Sequence, residues 1–170
     1  MSHPPAKVYN VLFVCTHNSA RSVLAEGLMN SLGHGRFVGY SAGSTPSGRI
    51  NPYALSTLER MGIPSAGYRS KDWAEFDRPG APLLDFIITV CDNAAGEVCP
   101  VWPGKPTTAH WGVADPSACA GSDDEKAQAF WDTALILKRR IELMLALPAA
   151  LLATLEQQAL QREVRAIGTR

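Results

Sequence analysis

The sequence predicts an α/β fold: a four-stranded parallel sheet with helices on both faces. Two observations carry that expectation. Two short runs, Val8 to Val14 and Leu83 to Val90, are almost continuously apolar, as strands covered on both faces are. Between and after them lie stretches with helical apolar spacing, and strands alternating with helices fold into parallel sheets. Each of the two runs ends at a cysteine, Cys15 and Cys91. In such sheets ligands bind beyond the carboxyl ends of the strands, so both sulfurs are placed where chemistry is expected.

The elements follow in order. After the first strand and a short loop, Ser19 to Leu32 places Val23, Leu24, Gly27, Leu28 and Leu32 on one helical face, and Gly33 with Gly35 ends the helix. A second strand is expected over Arg36 to Ala42, a loop over Pro46 to Asn51, and a helix opening at Pro52 and closing near Met61, Gly62 and Pro64. A weak fourth strand falls near Thr107 to Trp111. Asp123 to Leu147 carries Phe130, Ala134, Leu137, Ile141 and Leu145 on one face, with Lys138, Arg139, Arg140 and Glu142 nearer solvent. Pro148 should kink or restart that helix, and the tail to Arg170 is expected as a second helix that frays into solvent or docks on a partner subunit.

At 170 residues and 46% apolar composition the chain fits a single domain, 1–170, with its core at about 8–147 and a helical extension at about 148–170. Lys plus Arg equals Asp plus Glu at 16 each, which argues against nucleic acid or an acidic membrane as partner. There is no leader-like N-terminus and no run of about 18 apolar residues, so a cytoplasmic location is expected. In that reducing compartment four cysteines read as chemical thiols rather than as a disulfide framework.

The densest motif is C-T-H-N-S-A-R-S, Cys15 to Ser22, with five residues between the cysteine and Arg21. A loop of that length, between strand and helix, can wrap a tetrahedral oxyanion with inward-facing amides from Thr16, His17, Asn18, Ser19, Ala20, Arg21 and Ser22. The helix N-terminus adds positive potential there. Arg21 closes the rim with a planar fork suited to two oxyanion oxygens. The same field favours the Cys15 thiolate, with help from the Ser22 hydroxyl.

Followed by V-L-A-E-G and then Y-S-A-G-S, this motif resembles the low-molecular-weight tyrosine phosphatases and the arsenate reductases that share their fold, over roughly residues 8 to 147. The resemblance implies a three-layer α/β/α architecture. It also implies a general acid at Asp115 in H-W-G-V-A-D-P, giving its proton to a departing oxygen. The segment T-V-C-D-N-A-A-G-E-V-C-P resembles the redox segment of thioredoxin-coupled arsenate reductases, which makes Cys91 and Cys99 resolving thiols. Arsenate reduction needs them: Cys91 attacks the Cys15 adduct so that two electrons reach arsenic, and Cys99 then moves the disulfide outward, with A-A-G-E expected as a short helix that unwinds. Cys119 receives no role. Zinc is disfavoured, because seven residues between Cys91 and Cys99 match no usual ligand spacing.

Two absences oppose a tyrosine phosphatase. Such enzymes need apolar walls for a phenyl ring, and the family's aromatic positions here read Ser117 and Ala118, while Ser44 to Arg49 contains no aromatic residue. Departures from the family are Ala20, where many relatives carry another cysteine, and His17, where glycine is frequent. Asn18, Ser22, Glu26 and Ser41 are expected to support the loop. Lys71 stands near a position that is aspartate in potassium-binding relatives, with Asp72 adjacent; an ammonium there would replace the cation, so no metal is expected.

The expectation is therefore arsenate reduction for arsenic detoxification by Cys15, Cys91 and Cys99. No bound cofactor is expected, and electrons would come from thioredoxin or from glutaredoxin with glutathione. The alternatives are a phosphatase cleaving phosphotyrosine or small phosphate esters through a phosphocysteine, and an oxyanion-binding module without turnover.

Overall fold

A computed structural model describes residues 7–91, 106–148 and 157–169. Four strands, β1 (Tyr9–Cys15), β2 (Phe37–Gly43), β3 (Phe86–Thr89) and β4 (Thr107–His110), form one sheet in the order β2-β1-β3-β4, every neighbouring pair parallel. Helices α1 (Arg21–Leu32), α2 (Pro52–Arg60), α3 (Asp123–Leu145) and α4 (Gln157–Ile167) complete the three-layer α/β/α arrangement. From β1 the chain crosses to β2 on one side and later returns to β3 on the other. The connections therefore part at the carboxyl ends of β1 and β3, opening a crevice there.

The central strand explains its own apolar run: Val11, Leu12 and Phe13 are all fully buried, so both faces of β1 are covered. Local chemistry fixes the helix starts. Asn51 caps α2 by accepting from the Tyr53 amide with Pro52 in the first turn, and Ser122 and Glu125 form a reciprocal capping box on α3.

Two expectations are corrected. Arg140 is not on the solvent side of α3; it is 8% exposed, three residues after Leu137 and four before Met144, at the edge of the buried stripe. Its guanidinium reaches the main-chain carbonyls of Trp111 and Gly112, which offsets the cost of leaving water. Nor does α4 fray: it packs against β4 of the same chain, with Val164 and Ile167 buried and the Trp111 indole N–H donating to the Val164 carbonyl at 2.9 Å. Trp111, at the end of an edge strand, needs such a cover to be fully buried. No helix among the described residues is long and apolar enough to cross a membrane.

Candidate active site

Cys15 is the last residue of β1, and the loop that follows turns its carbonyls outward. The carbonyl of Thr16 accepts from the Thr45 amide at 2.9 Å, that of His17 from Ser47 at 3.0 Å, and that of Ser19 from Asn51 at 2.9 Å. The Ser70 hydroxyl adds a second bond to the His17 carbonyl, at 3.0 Å. With these carbonyls committed, the amides of His17 to Arg21 donate to no acceptor among the described residues. Helix α1 begins beside them without a side-chain cap and without an acidic residue in its first turn. Such an end, with free N–H groups and positive potential, suits a tetrahedral oxyanion.

The loop is held by Asn18, whose backbone lies in the left-handed region at φ 47° and whose side chain is fully buried. Its Oδ1 accepts from the Lys71 amide at 2.9 Å, and its Nδ2 donates to Ser22 Oγ at 2.8 Å. Ser22 Oγ lies 2.9 Å from Cys15 Sγ. An anionic sulfur can only accept, so the serine proton faces the thiolate while Asn18 fills one of the serine lone pairs. Both sulfur and hydroxyl are buried, so water does not compete for this contact.

Arg21 spans the crevice. Its Nη1 donates to the Val113 carbonyl at 2.9 Å and its Nη2 lies 3.6 Å from Asp115 Oδ2. The other Asp115 oxygen accepts from the Ser117 amide at 2.9 Å and the Ser117 hydroxyl at 2.7 Å. Ser117 thus orients the carboxylate. Asp115 remains partly exposed across the crevice from the loop, where a carboxylic acid can meet a leaving oxygen.

Cys91, two residues past β3, is 2% exposed and faces the same loop. Its Sγ accepts from the Thr16 amide at 3.2 Å and lies 3.5 Å from Thr16 Oγ1. The second expected thiol therefore sits against the residue adjacent to the first. Cys15, Cys91 and Cys119 are free thiols. Cys99 and the expected A-A-G-E helix lie outside the described residues.

Beneath the loop, the Ser41 hydroxyl donates to Glu26 Oε1. Burial raises the Glu26 pKa above its ordinary value, opposed by the Ser41 hydrogen bond and by the charges of Lys71 and Arg69. Burial likewise lowers the Lys71 pKa, opposed by Glu26. The Lys71 ammonium donates to the Arg69 carbonyl at 2.9 Å and makes no ion pair with Glu26 within 4.0 Å, so the two charges act through space. Asp72 caps a short 3₁₀ turn through the Ala74 amide. Among the described residues no group of three or more His, Cys, Asp or Glu is placed to hold a metal.

His17 is exposed at the mouth. The structure brings together Cys15 to Ser22, Cys91, Asp115, Glu26, Ser41 and Lys71. The sequence reading missed Gly43: a Cβ there would meet the Thr16 carbonyl at 2.5 Å and the Asn18 amide at 3.0 Å. The glycine in S-A-G-S was the available clue. It also missed the Val113 carbonyl, which no side-chain pattern announces.

Comparison with known proteins places this geometry. Residues 10–165 match the model for low molecular weight phosphotyrosine protein phosphatase. The arsenate reductase of Halalkalibacterium halodurans is 34% identical over 120 residues, 71% of this chain and 83% of that protein. The glutaredoxin arsenate reductase of Synechocystis is 30% identical over 136 residues, 80% of this chain and 95% of that protein. Among solved structures, an arsenate reductase in its oxidized state superposes with TM-score 0.66 at 27% identity, covering 82% of this chain and 98% of its own. The chain belongs to the low molecular weight phosphotyrosine protein phosphatase family, in the company of its arsenate reductases.

Proposed function

We propose that this chain reduces arsenate to arsenite through a relay of three thiols. The Cys15 thiolate attacks arsenic(V) held by the loop amides and Arg21, and an arsenate oxygen leaves as water with the proton of Asp115. The Cys91 thiolate then attacks Cys15 Sγ. A sulfur–sulfur bond forms, the sulfur–arsenic bond breaks with its electron pair passing to arsenic, and arsenite departs. Cys99 attacks Cys91 in turn, freeing the Cys15 thiolate and leaving a Cys91–Cys99 disulfide for an external dithiol to reduce. Thioredoxin is the first candidate, and glutaredoxin with glutathione the second. The chain acts as one domain in the cytoplasm, where such reductants operate.

The observation that carries this reading is the Cys91 sulfur at 3.2 Å from the Thr16 amide: a simple hydrolase has no use for a second thiol there. The names of the relatives support it, and so does the lack of any aromatic residue from Ser44 to Arg49 and at Ser117 and Ala118. Glu26, Ser41 and the Lys71 ammonium support the loop, the lysine supplying internally the positive charge that a bound cation would give.

Cys91→Ser tests the proposal. Arsenite production with thioredoxin or glutaredoxin should vanish, while hydrolysis of p-nitrophenyl phosphate, which needs Cys15, Arg21 and Asp115 alone, should persist. Retained arsenite turnover in that variant would exclude Cys91 from the relay, whereas a wild-type chain that hydrolyses p-nitrophenyl phosphate and makes no arsenite would leave the phosphatase reading.

A further inference from the structure

The segment joining β4 to Asp115 is gripped from two sides. From the crevice, Arg21 bonds the Val113 carbonyl. From behind, Arg140 Nη1 donates to the Trp111 carbonyl at 3.0 Å and the Gly112 carbonyl at 3.2 Å. Consecutive carbonyls of a strand point to opposite sides, so two of them converging on one nitrogen mark the bend where the chain leaves the sheet. The negative ends of the two carbonyl dipoles are brought together there, and a cation at both oxygens relieves their repulsion. The same residue is anchored a third way, because the Trp111 indole is fixed to the Val164 carbonyl of α4.

Arg140 is costly for packing alone. It is 8% exposed, and among the described residues it has no carboxylate within 4.0 Å and no partner for its Nε. Burial lowers its pKa from the ordinary arginine value. Methionine or leucine would fill the edge of the α3 stripe without that penalty. What an apolar side chain cannot do is hold two carbonyls.

We propose that Arg140 is a positioning residue for the proton donor: by fixing the bend at Trp111 and Gly112 it sets where Asp115 stands relative to Cys15 and Arg21. This rests on the proposed function, in which Asp115 protonates the leaving oxygen. Arg140 itself touches no substrate. It acts through three residues of backbone, and its loss should appear in the protonation step more than in oxyanion binding.

The test compares Arg140→Met and Arg140→Lys, each alone and combined with Asp115→Asn. Readouts are arsenite turnover, inhibition by phosphate, thermal unfolding, and hydrogen exchange of the amides of residues 112–115. Arg140→Met should lower kcat by up to about 100-fold, the scale of a displacement near 1 Å. Phosphate affinity should change far less, and exchange at 112–115 should quicken. Arg140→Lys should recover part of the rate, and in the Asp115→Asn background Arg140→Met should add little, since both changes remove one function. Fully multiplicative losses, or a lower unfolding temperature with kcat intact, would overturn the proposal. If Arg140→Met does not fold, Arg140→Lys decides alone, and wild-type kcat with unchanged exchange in it rejects the role. Should the wild-type chain make no arsenite, reduction is the reading that fails. The same comparison then runs on p-nitrophenyl phosphate hydrolysis, where Asp115 protonates an alcohol.

Discussion

The Thr16 amide donates to Cys91 Sγ at 3.2 Å, so this thiol is held against the residue that follows Cys15. The sheet register makes this contact. Val14 pairs with Thr89 across β1 and β3, so Cys15 stands level with Val90 and Cys91 level with Thr16, one position apart. A spacing between strands of about 4.8 Å and a rise of about 3.3 Å per residue put residues one position apart at about 6 Å, inside the Cα separation of about 4.4–6.8 Å that a disulfide tolerates. A Cys99→Ser variant given arsenate should therefore stop as a Cys15–Cys91 disulfide, read by peptide mapping as two linked peptides lacking two hydrogens. Recovery of free Cys91 beside an arsenic adduct on Cys15 would show that the sulfurs do not meet.

Among the described residues Ser22 carries the one hydroxyl at hydrogen-bond distance from Cys15 Sγ, at 2.9 Å, and Asn18 keeps it oriented. A hydrogen bond to a charged group contributes about 1.5–3 kcal/mol. Ser22→Ala should accordingly slow alkylation of Cys15 by iodoacetamide at neutral pH by about 10- to 100-fold, if the whole of that energy favours the thiolate. Peptide-resolved mass spectrometry separates Cys15 from the other thiols. An unchanged Cys15 rate would mean that the loop amides alone stabilise the anion.

Gly43 ends β2 directly under the loop, paired with Cys15. The atoms that a Cβ would strike, the Thr16 carbonyl and the Asn18 amide, are both backbone, so neither can rotate aside. Gly43→Ala should cost about 1–3 kcal/mol as an overpacked site and should push the loop out of shape. Phosphate binding, measured calorimetrically, should weaken along with the unfolding temperature. A variant that binds phosphate normally would show the loop to be more compliant than its outward hydrogen bonds suggest.

The parts legible in the sequence were those with a local cause. The run before Cys15 had to be a buried strand, and the Cys15 to Ser22 spacing had to be a loop on a helix start, because both follow from residues adjacent in the chain. Most strand ends shifted by one residue, but β3 opens at Phe86, three residues after Leu83, since an apolar run does not mark where pairing begins. The Arg140 error came from reading charge as exposure. Its partners are main-chain carbonyls 28 and 29 residues earlier, and no helical pattern on α3 reports them. The docking of α4 was hidden for the same reason, since the Trp111 bond to Val164 spans 53 residues.

The buried charges of Glu26 and Lys71 give a stability profile whose sign can be worked out. Glu26 ionises above its ordinary 4.5 in the folded chain because burial disfavours the carboxylate. From pH 4.5 up to that raised value the folded state keeps a proton that the unfolded state has released, so stability falls as pH rises and then levels. Lys71 has the opposite slope at the other end: its folded pKa lies below 10.5, so stability rises as pH climbs through the window beneath that value. Between the windows both groups are charged, and each offsets part of the other's burial. Glu26→Gln should abolish the acid-side decline, so its unfolding temperature gains on the wild type as pH rises from 4.5. A difference that shrinks over that range would contradict the assigned direction. The lysine proposal has its own check in the same buffers: replacing sodium by potassium should leave arsenite turnover unchanged, because the ammonium at the Arg69 carbonyl already supplies the charge. A sharp rise with potassium would mean that a cation enters beneath the loop and that Lys71 does not stand in for it.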